Sequence, residues 1–303
     1  QEVEAVAALP DVKETYAGYH LECYLPQAPN SYAMAVYSMP MQQAEQGIGL
    51  NLPSLTEGTY PTQTDECLLD ANFAKKHNYH VGDTVTLQAS EGTELSDFMQ
   101  QDTFIVSGLT NWSMYISFER GTAQIGTGSL DGYILVDDAE FCMDRYTNLY
   151  LTLNSTEQLA AQSDAYTETV NAAADTLERE SVAILKERVE RETAEARAQL
   201  QEARENLETQ QAAYAKNFAQ LAETYGTEVA GQQMAEAEQQ LSEAEAQITE
   251  QQTALDDFTE QAKWYVQTRE DNVAYSGFWE NTERIQKIVA VFPVFFILIA
   301  ALV

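Results

Sequence analysis

Residues 196–262 read ARAQLQEARENLETQQAAYAKNFAQLAETYGTEVAGQQMAEAEQQLSEAEAQITEQQTALDDFTEQA. Leu200, Leu207, Tyr214 and Leu221 recur every seven residues, and Ala196, Ala203, Gln210 and Asn217 each stand four positions before the next of them. After Tyr225-Gly226-Thr227-Glu228-Val229-Ala230-Gly231 the pattern resumes, with Met234, Leu241, Ile248 and Leu255 alternating with Ala237, Ala244, Gln251 and Phe258. A sustained heptad with apolar seam positions predicts coiled-coil helices. Two such arms joined by a short glycine-bounded turn predict an antiparallel hairpin from about Glu180 to Ala262. At about 1.5 Å per residue, arms of roughly 36 residues reach on the order of 50 Å. Polar Gln210, Asn217 and Gln251 are expected within the seam, where they set register or permit flexing. The tip, near 225–231, should expose Tyr225 and Val229 beside Gly226 and Gly231, and these four are the candidate partner-contacting residues.

Outward from the rod, residues 1–155 mix strands and short helices. Tyr19–Leu25 and Ala33–Tyr37 alternate as half-buried strands do. Residues 51–65 look turn-rich, with Pro53, Gly58 and Pro61, and Cys67–Leu69 leads into a short helix at Asn72–His77. Strands follow at Val81–Leu87, Thr103–Leu109, Gly132–Val136 and Leu149–Leu153, with a glycine-rich loop over Arg120–Gly132 and a helical turn near Asp138–Asp144. There is no regular βαβ rhythm, so an α+β domain is expected. The helical region should occupy 156–263, with Asn154 or Ser155 as N-cap and a break near Ser181. Residues 264–287 should return to the α+β domain, Trp264–Val266 leading in as an edge strand. The rod is then an insertion with both feet in that domain.

The run IVAVFPVFFILIAALV, 288–303, carries no charge and predicts the start of a transmembrane helix cut short. The chain begins without Met or a signal peptide, and together these ends suggest a piece of a larger membrane protein. Its 48 acidic and 16 basic residues leave a net charge of −32, which disfavours nucleic acid as a partner. No GxxxxGK[ST], GxSxG, HExxH or GxGxxG is present, so the sequence offers no catalytic or cofactor site. His77 and His80 could share a helical face, but they lack further ligands at metal spacing. Cys23, Cys67 and Cys142 have no CxxC spacing or basic flank and suit buried thiols.

The segments VGDTVTL (81–87), FERGTAQIGTGSLDGYILV (118–136), WYVQTREDNVAYSGF (264–278) and RIQKIVAVFPVFFILIAALV (284–303) together resemble the extracellular domain of FtsX/MacB-like ABC transporter permeases, in particular Gram-positive members. Thr268 departs from the pattern, where an acidic residue before Arg269 is expected. The resemblance implies a non-catalytic domain outside the cell membrane, in a four-helix permease that dimerises and pairs with a separate cytoplasmic ATP-binding subunit. It implies mechanotransmission toward peptide, lipid-linked or cell-wall clients; the alternative reading is a sensor or scaffold that binds an extracellular peptide or cell-wall hydrolase through the hairpin tip. Arg284 and Lys287 before the apolar run hint at a cytoplasmic flank, which large translocated domains override.

Overall fold

Three strands are buried on both faces, and the rest of the α+β body is arranged around them. The computed structural model describes residues 2–161, 163–262 and 264–277. In chain order the elements are α1 (Glu2–Ala7), β1 (Val12–Gly18), β2 (His20–Gln27), β3 (Asn30–Met39), α2 (Met41–Glu45), β4 (Ser54–Gly58), β5 (Glu66–Asp70), α3 (Ala71–His77), β6 (Thr84–Thr86), β7 (Thr103–Asn111), β8 (Gly132–Asp137), β9 (Asn148–Leu153), α4 (Asp164–Tyr225) and α5 (Thr227–Gln261). The main sheet runs β2-β3-β8-β5-β7-β4, with β6 also on β7. It is mixed: β3/β8 and β5/β7 are parallel, while β2/β3, β5/β8, β4/β7 and β6/β7 are antiparallel. β1 and β9 pair separately as a two-stranded antiparallel ribbon. This is the α+β class expected.

Period-two alternation sorts the central side chains onto two faces. Met34 and Val36 of β3, Cys67 and Leu69 of β5 and Ile134 and Val136 of β8 enter one core, closed by Phe73 and Ala74 of α3. Ala35, Tyr37 and Met39, Leu68, and Tyr133 and Leu135 enter the other, closed by Met41 and Ala44 of α2, Trp112, Tyr115 and Ala274. Near-continuous apolar runs in these strands are the mark of double coverage.

Several local expectations change. Cys67–Leu69 is strand, and the turn-rich stretch holds edge strand β4. Gly58 ends it at φ 76°, and an added Cβ there would fall 2.2 Å from the Ser107 carbonyl oxygen. Proline and positive-φ glycine hid a strand whose backbone still pairs with β7. Helix α3 is capped by Asp70, whose carboxylate accepts from Asn72 N, and closed by Asn78 in the left-handed region; no histidine does this work. The first arm starts at Asp164, after a 3-10 turn at Asn154–Thr156. Ser163 Oγ accepts from Tyr166 N there, so neither Asn154 nor Ser155 caps it. Helix α4 passes through Ser181 without a break.

The chain divides into two units: residues 1–174 together with the chain from Gln267 onward, and Asp175–Val266. Within the first unit, the returning chain is no edge strand. It makes a 3-10 turn at Arg269–Asp271 and is helical over 273–277. Thr268 and Asp271 form a reciprocal capping box at that turn, an unforeseen use for the residue that departs from the family pattern. Among the described residues no helix is long and apolar enough to cross a membrane. The transmembrane expectation for 288–303, and residues 278–287 of the return segment, lie outside the described residues.

His20 makes the body sensitive to acid. Its ring stacks on Tyr37 at 4.4 Å, and burial lowers its pKa to about 4. A base depressed in the folded state contributes stability that is complete above the unfolded value, near 6.5, and is lost as pH falls toward 4. Between pH 7 and pH 4 this ring should cost the protein about 2–3 kcal/mol. His20→Phe should flatten that part of the pH dependence in thermal melts followed by circular dichroism.

Candidate functional site

The hairpin turns on one residue. Gly226 alone separates α4 from α5, at φ 86° and ψ 156°, a region that essentially only glycine enters. The helical hydrogen bonds nearly run through it: Gly226 N donates to Ala222 O at 3.0 Å, and Ala230 N to Gly226 O at 3.1 Å. The expected seven-residue tip is thus corrected to a corner, with Gly231 inside the first turns of α5. Tyr225 is 62% exposed and Val229 39%, flanking the corner as expected. Ala230, not singled out from sequence, is fully buried one position further on. Its small side chain allows close approach of the arms, and an alanine beside a glycine turn was the available signal.

Along the arms, Leu200 is buried and Leu207, Tyr214, Leu221, Met234, Leu241, Ile248 and Leu255 are half-buried. Arg204 Nη2 donates to Gln252 Oε1 at 3.0 Å and Tyr214 OH to Glu238 Oε2 at 3.4 Å, so the arms run antiparallel in register. The second row of the seam is not a fixed heptad position. Ala203, Ala237 and Ala244 are half-buried, but farther along each arm Phe218 and Gln252 take over, one residue later in phase. Gln210, Asn217, Gln251 and Phe258 are exposed, contrary to expectation. A straight helix drifts about 20° per heptad, and these arms follow the drift. The seam polarity expected of Gln210, Asn217 and Gln251 is therefore absent. The hairpin's apolar seam is spent on its own pairing, and the corner presents Tyr225 and Val229 outward.

In the first unit, a buried ionic joint holds the surface where the chain returns. Arg120 Nε donates to Asp70 Oδ2 at 2.7 Å and Nη2 to Asp70 Oδ1 at 2.9 Å, with both side chains almost fully buried. Arg120 Nη1 donates to the carbonyls of Tyr115 (3.0 Å) and Ser117. The guanidinium lies 5.9 and 5.8 Å from the ring centroids of Tyr115 and Tyr133. Tyr37 and Tyr115 share a hydroxyl contact at 2.6 Å, and burial raises both phenols well above their ordinary range. The loop so fixed receives the returning chain: Ser117 N donates to Ala274 O at 2.8 Å and Asn272 Nδ2 to Met114 O at 2.8 Å. Arg269 also lies over the rings of Tyr166, near the start of α4, and Tyr275. Sequence reading passed over Arg120 as the edge of a glycine-rich loop. A lone arginine closing a stretch that holds Trp112, Tyr115 and Phe118 was its only trace.

The remaining candidates are structural in character. The glycine loop takes positive φ at Gly121, Gly126 and Gly128 and closes through a Thr122–Ser129 bridge. His77 packs on Phe73 and Tyr32, whereas His80 sits beyond the helix end, 3.6 Å from Asp83. Cys23 and Cys67 are buried, and desolvation pushes the Cys23 thiol up to about 12. Cys142, expected buried, is exposed. An open groove of about 480 Å³ lies between α1, β1 and α2, lined by Glu4, Tyr16, Gln43, Asp138 and Tyr146 among others. Tyr16 OH donates to Asp138 Oδ1 at 2.7 Å inside it. Desolvation raises the Asp138 pKa against the opposing bonds from Tyr16 and Ser38. Among the described residues no group of three or more His, Cys, Asp or Glu is placed to hold a metal.

No protein-family model and no curated protein matches the chain. Several solved structures are similar at low identity, two of them as follows. The extracellular domain of the noncanonic ABC-type transporter YknZ from Gram-positive bacteria is 10% identical, covering 57% of this chain and 81% of its own, with a TM-score of 0.31. The periplasmic region of MacB from Actinobacillus actinomycetemcomitans is 11% identical, covering 59% of this chain and 72% of its own, with a TM-score of 0.30.

Removing one side of the buried pair should cost more than removing both. Arg120→Met leaves the Asp70 carboxylate buried without its counter-charge and should destabilise the body by about 3–5 kcal/mol in urea unfolding. The Asp70→Asn, Arg120→Met double variant should recover a large part of that loss. At the corner, Gly226→Ala meets open space but a forbidden backbone. It should lower hairpin stability by on the order of 1–3 kcal/mol in thermal melts.

Proposed function

We propose that this chain is the extracellular part of an ABC transporter permease, tethered to the cell membrane through the apolar run 288–303, with the hairpin as its working arm. Hydrolysis of ATP by a separate cytoplasmic subunit moves the membrane helices of a permease dimer. The body passes that movement to the rod, and the client is a peptide, a lipid-linked molecule or a cell-wall component. Chemistry on the client plays no part in this reading. The quoted sequence blocks and the uncharged 288–303 run support the family and the tether.

The observation that carries the role of the rod is its division of labour. Its apolar seam is consumed by arm-to-arm pairing, while two apolar side chains stand outward at a one-residue corner. A pure spacer gains nothing from exposing Tyr225 and Val229. Arm α5, 35 residues and about 50 Å long, contains no Lys, Arg or His. A partner settling beside the corner therefore meets an apolar contact flanked by acidic charge. The same corner supports a second reading, a sensor or scaffold that binds an extracellular peptide or cell-wall hydrolase without transmitting force.

Tyr225→Ser with Val229→Ser tests the corner. In the assembled transporter the pair should abolish client capture while helix content and ATP hydrolysis stay at the unsubstituted level. Undiminished capture removes the corner as the contact. Disulfide locking of the rod to the body discriminates between the two readings: it should stop a lever but leave a sensor binding its partner.

A further inference from the structure

We propose that the loop around Phe118 rests in the headgroup interface of the lipid bilayer, forming a second membrane contact beside the tether. This rests on the reading of 288–303 as the membrane anchor. Phe118 is 91% exposed, with Ile116 at 39% and Val273 at 49%. They belong to two strands of chain tied together by the Ser117 N to Ala274 O bond, so the three side chains flank a single junction. A cluster of large apolar side chains this exposed calls for a covering surface.

The loop is not exposed because it is loose. Arg120, buried on Asp70, holds the carbonyls of Tyr115 and Ser117, and Asn272 holds that of Met114. The backbone is fixed on both sides of Ile116 and Phe118, so their outward presentation is built in. A rigid apolar protrusion loses little conformational freedom when it is covered, which favours docking.

Position along the chain identifies the cover. A Cβ added at Gly277 would lie 3.7 Å from Ser117 Oγ, so the chain leaves the described body right beside this junction. Only residues 278–287 separate that exit from the uncharged run at 288. Ten residues reach about 15 Å as helix and at most about 35 Å extended, and the headgroup region is only about 5–8 Å deep on each side of the core, so the linker is long enough to let the junction lie at that level. Aromatic side chains are favoured at that level. Glu119, Glu270 and Asp271 are exposed nearby, so the contact is apolar and does not depend on anionic lipid.

The test uses the full chain reconstituted in zwitterionic phosphatidylcholine bilayers containing brominated lipid. A Cys142→Ser background removes the exposed thiol, and a fluorescent label is placed in turn at Phe118→Cys, Ala300→Cys and Tyr225→Cys. Position 300 reports the anchor and position 225 the hairpin corner. Quenching at 118 several-fold above that at 225, together with quenching at 300, is the expected result. Quenching at 300 with none at 118 overturns the interface contact and leaves the anchor standing. No quenching at 300 overturns both. Replacing phosphatidylcholine by an anionic lipid mixture should not raise quenching at 118; a several-fold rise would assign the contact to charge and overturn its apolar basis.

Discussion

A guanidinium buried against a carboxylate is worth little as stabilisation, because desolvating both ions offsets most of their attraction. Its consequence is geometric. Asp70 ends β5 and caps α3, and Arg120 clasps that same carboxylate while holding two carbonyls of the loop behind it. Strand, helix and loop are therefore fixed to one another at a single point. The returning chain binds the loop, so the position of Ala274 in the second core depends on that point as well. An apolar pair of equal volume could fill the space, but it would not hold the Tyr115 and Ser117 carbonyls.

The body is also an exercise in shared faces. Each central strand contributes to two cores, one closed by α3 and the other by α2 with the return segment. A change at Tyr133 or Tyr115 reaches the ionic joint through ring contacts, whereas one at Val36 or Ile134 enters the opposite core. The sheet separates the two except at Asp70, whose carboxylate joins the Arg120 loop to the start of α3.

Much of this was readable from residue order, and the failures have physical causes. Strand β3 was placed but read as alternating and half-buried, whereas its unbroken apolar run is buried on both faces, and the hairpin announces itself by leucines at seven-residue spacing. Strand β4 did not, because Pro53 and Gly58 are turn formers that an edge strand tolerates. The second seam row was misread because a fixed heptad was imposed on helices that keep nearer their natural pitch, so Phe218 and Gln252 replaced Asn217 and Gln251. The wide tip was misread because Gly231 looked like a turn boundary, although one glycine in the right conformation suffices. Arg120–Asp70 was invisible for a different reason. Fifty residues separate the partners, and no local pattern encodes a contact that only the fold creates.

Asn272 meets Met114 across 158 positions of sequence, and most of the intervening chain lies outside the sheet. Closing so long a loop from a disordered chain would be entropically costly and slow. The hairpin shortens it in effect. Two antiparallel helices form from contacts local in sequence, and their pairing brings the end of α5 back alongside the middle of the longer α4. Part of that long loop is thus ordered by helix contacts made within the hairpin itself, whose closure cost is local.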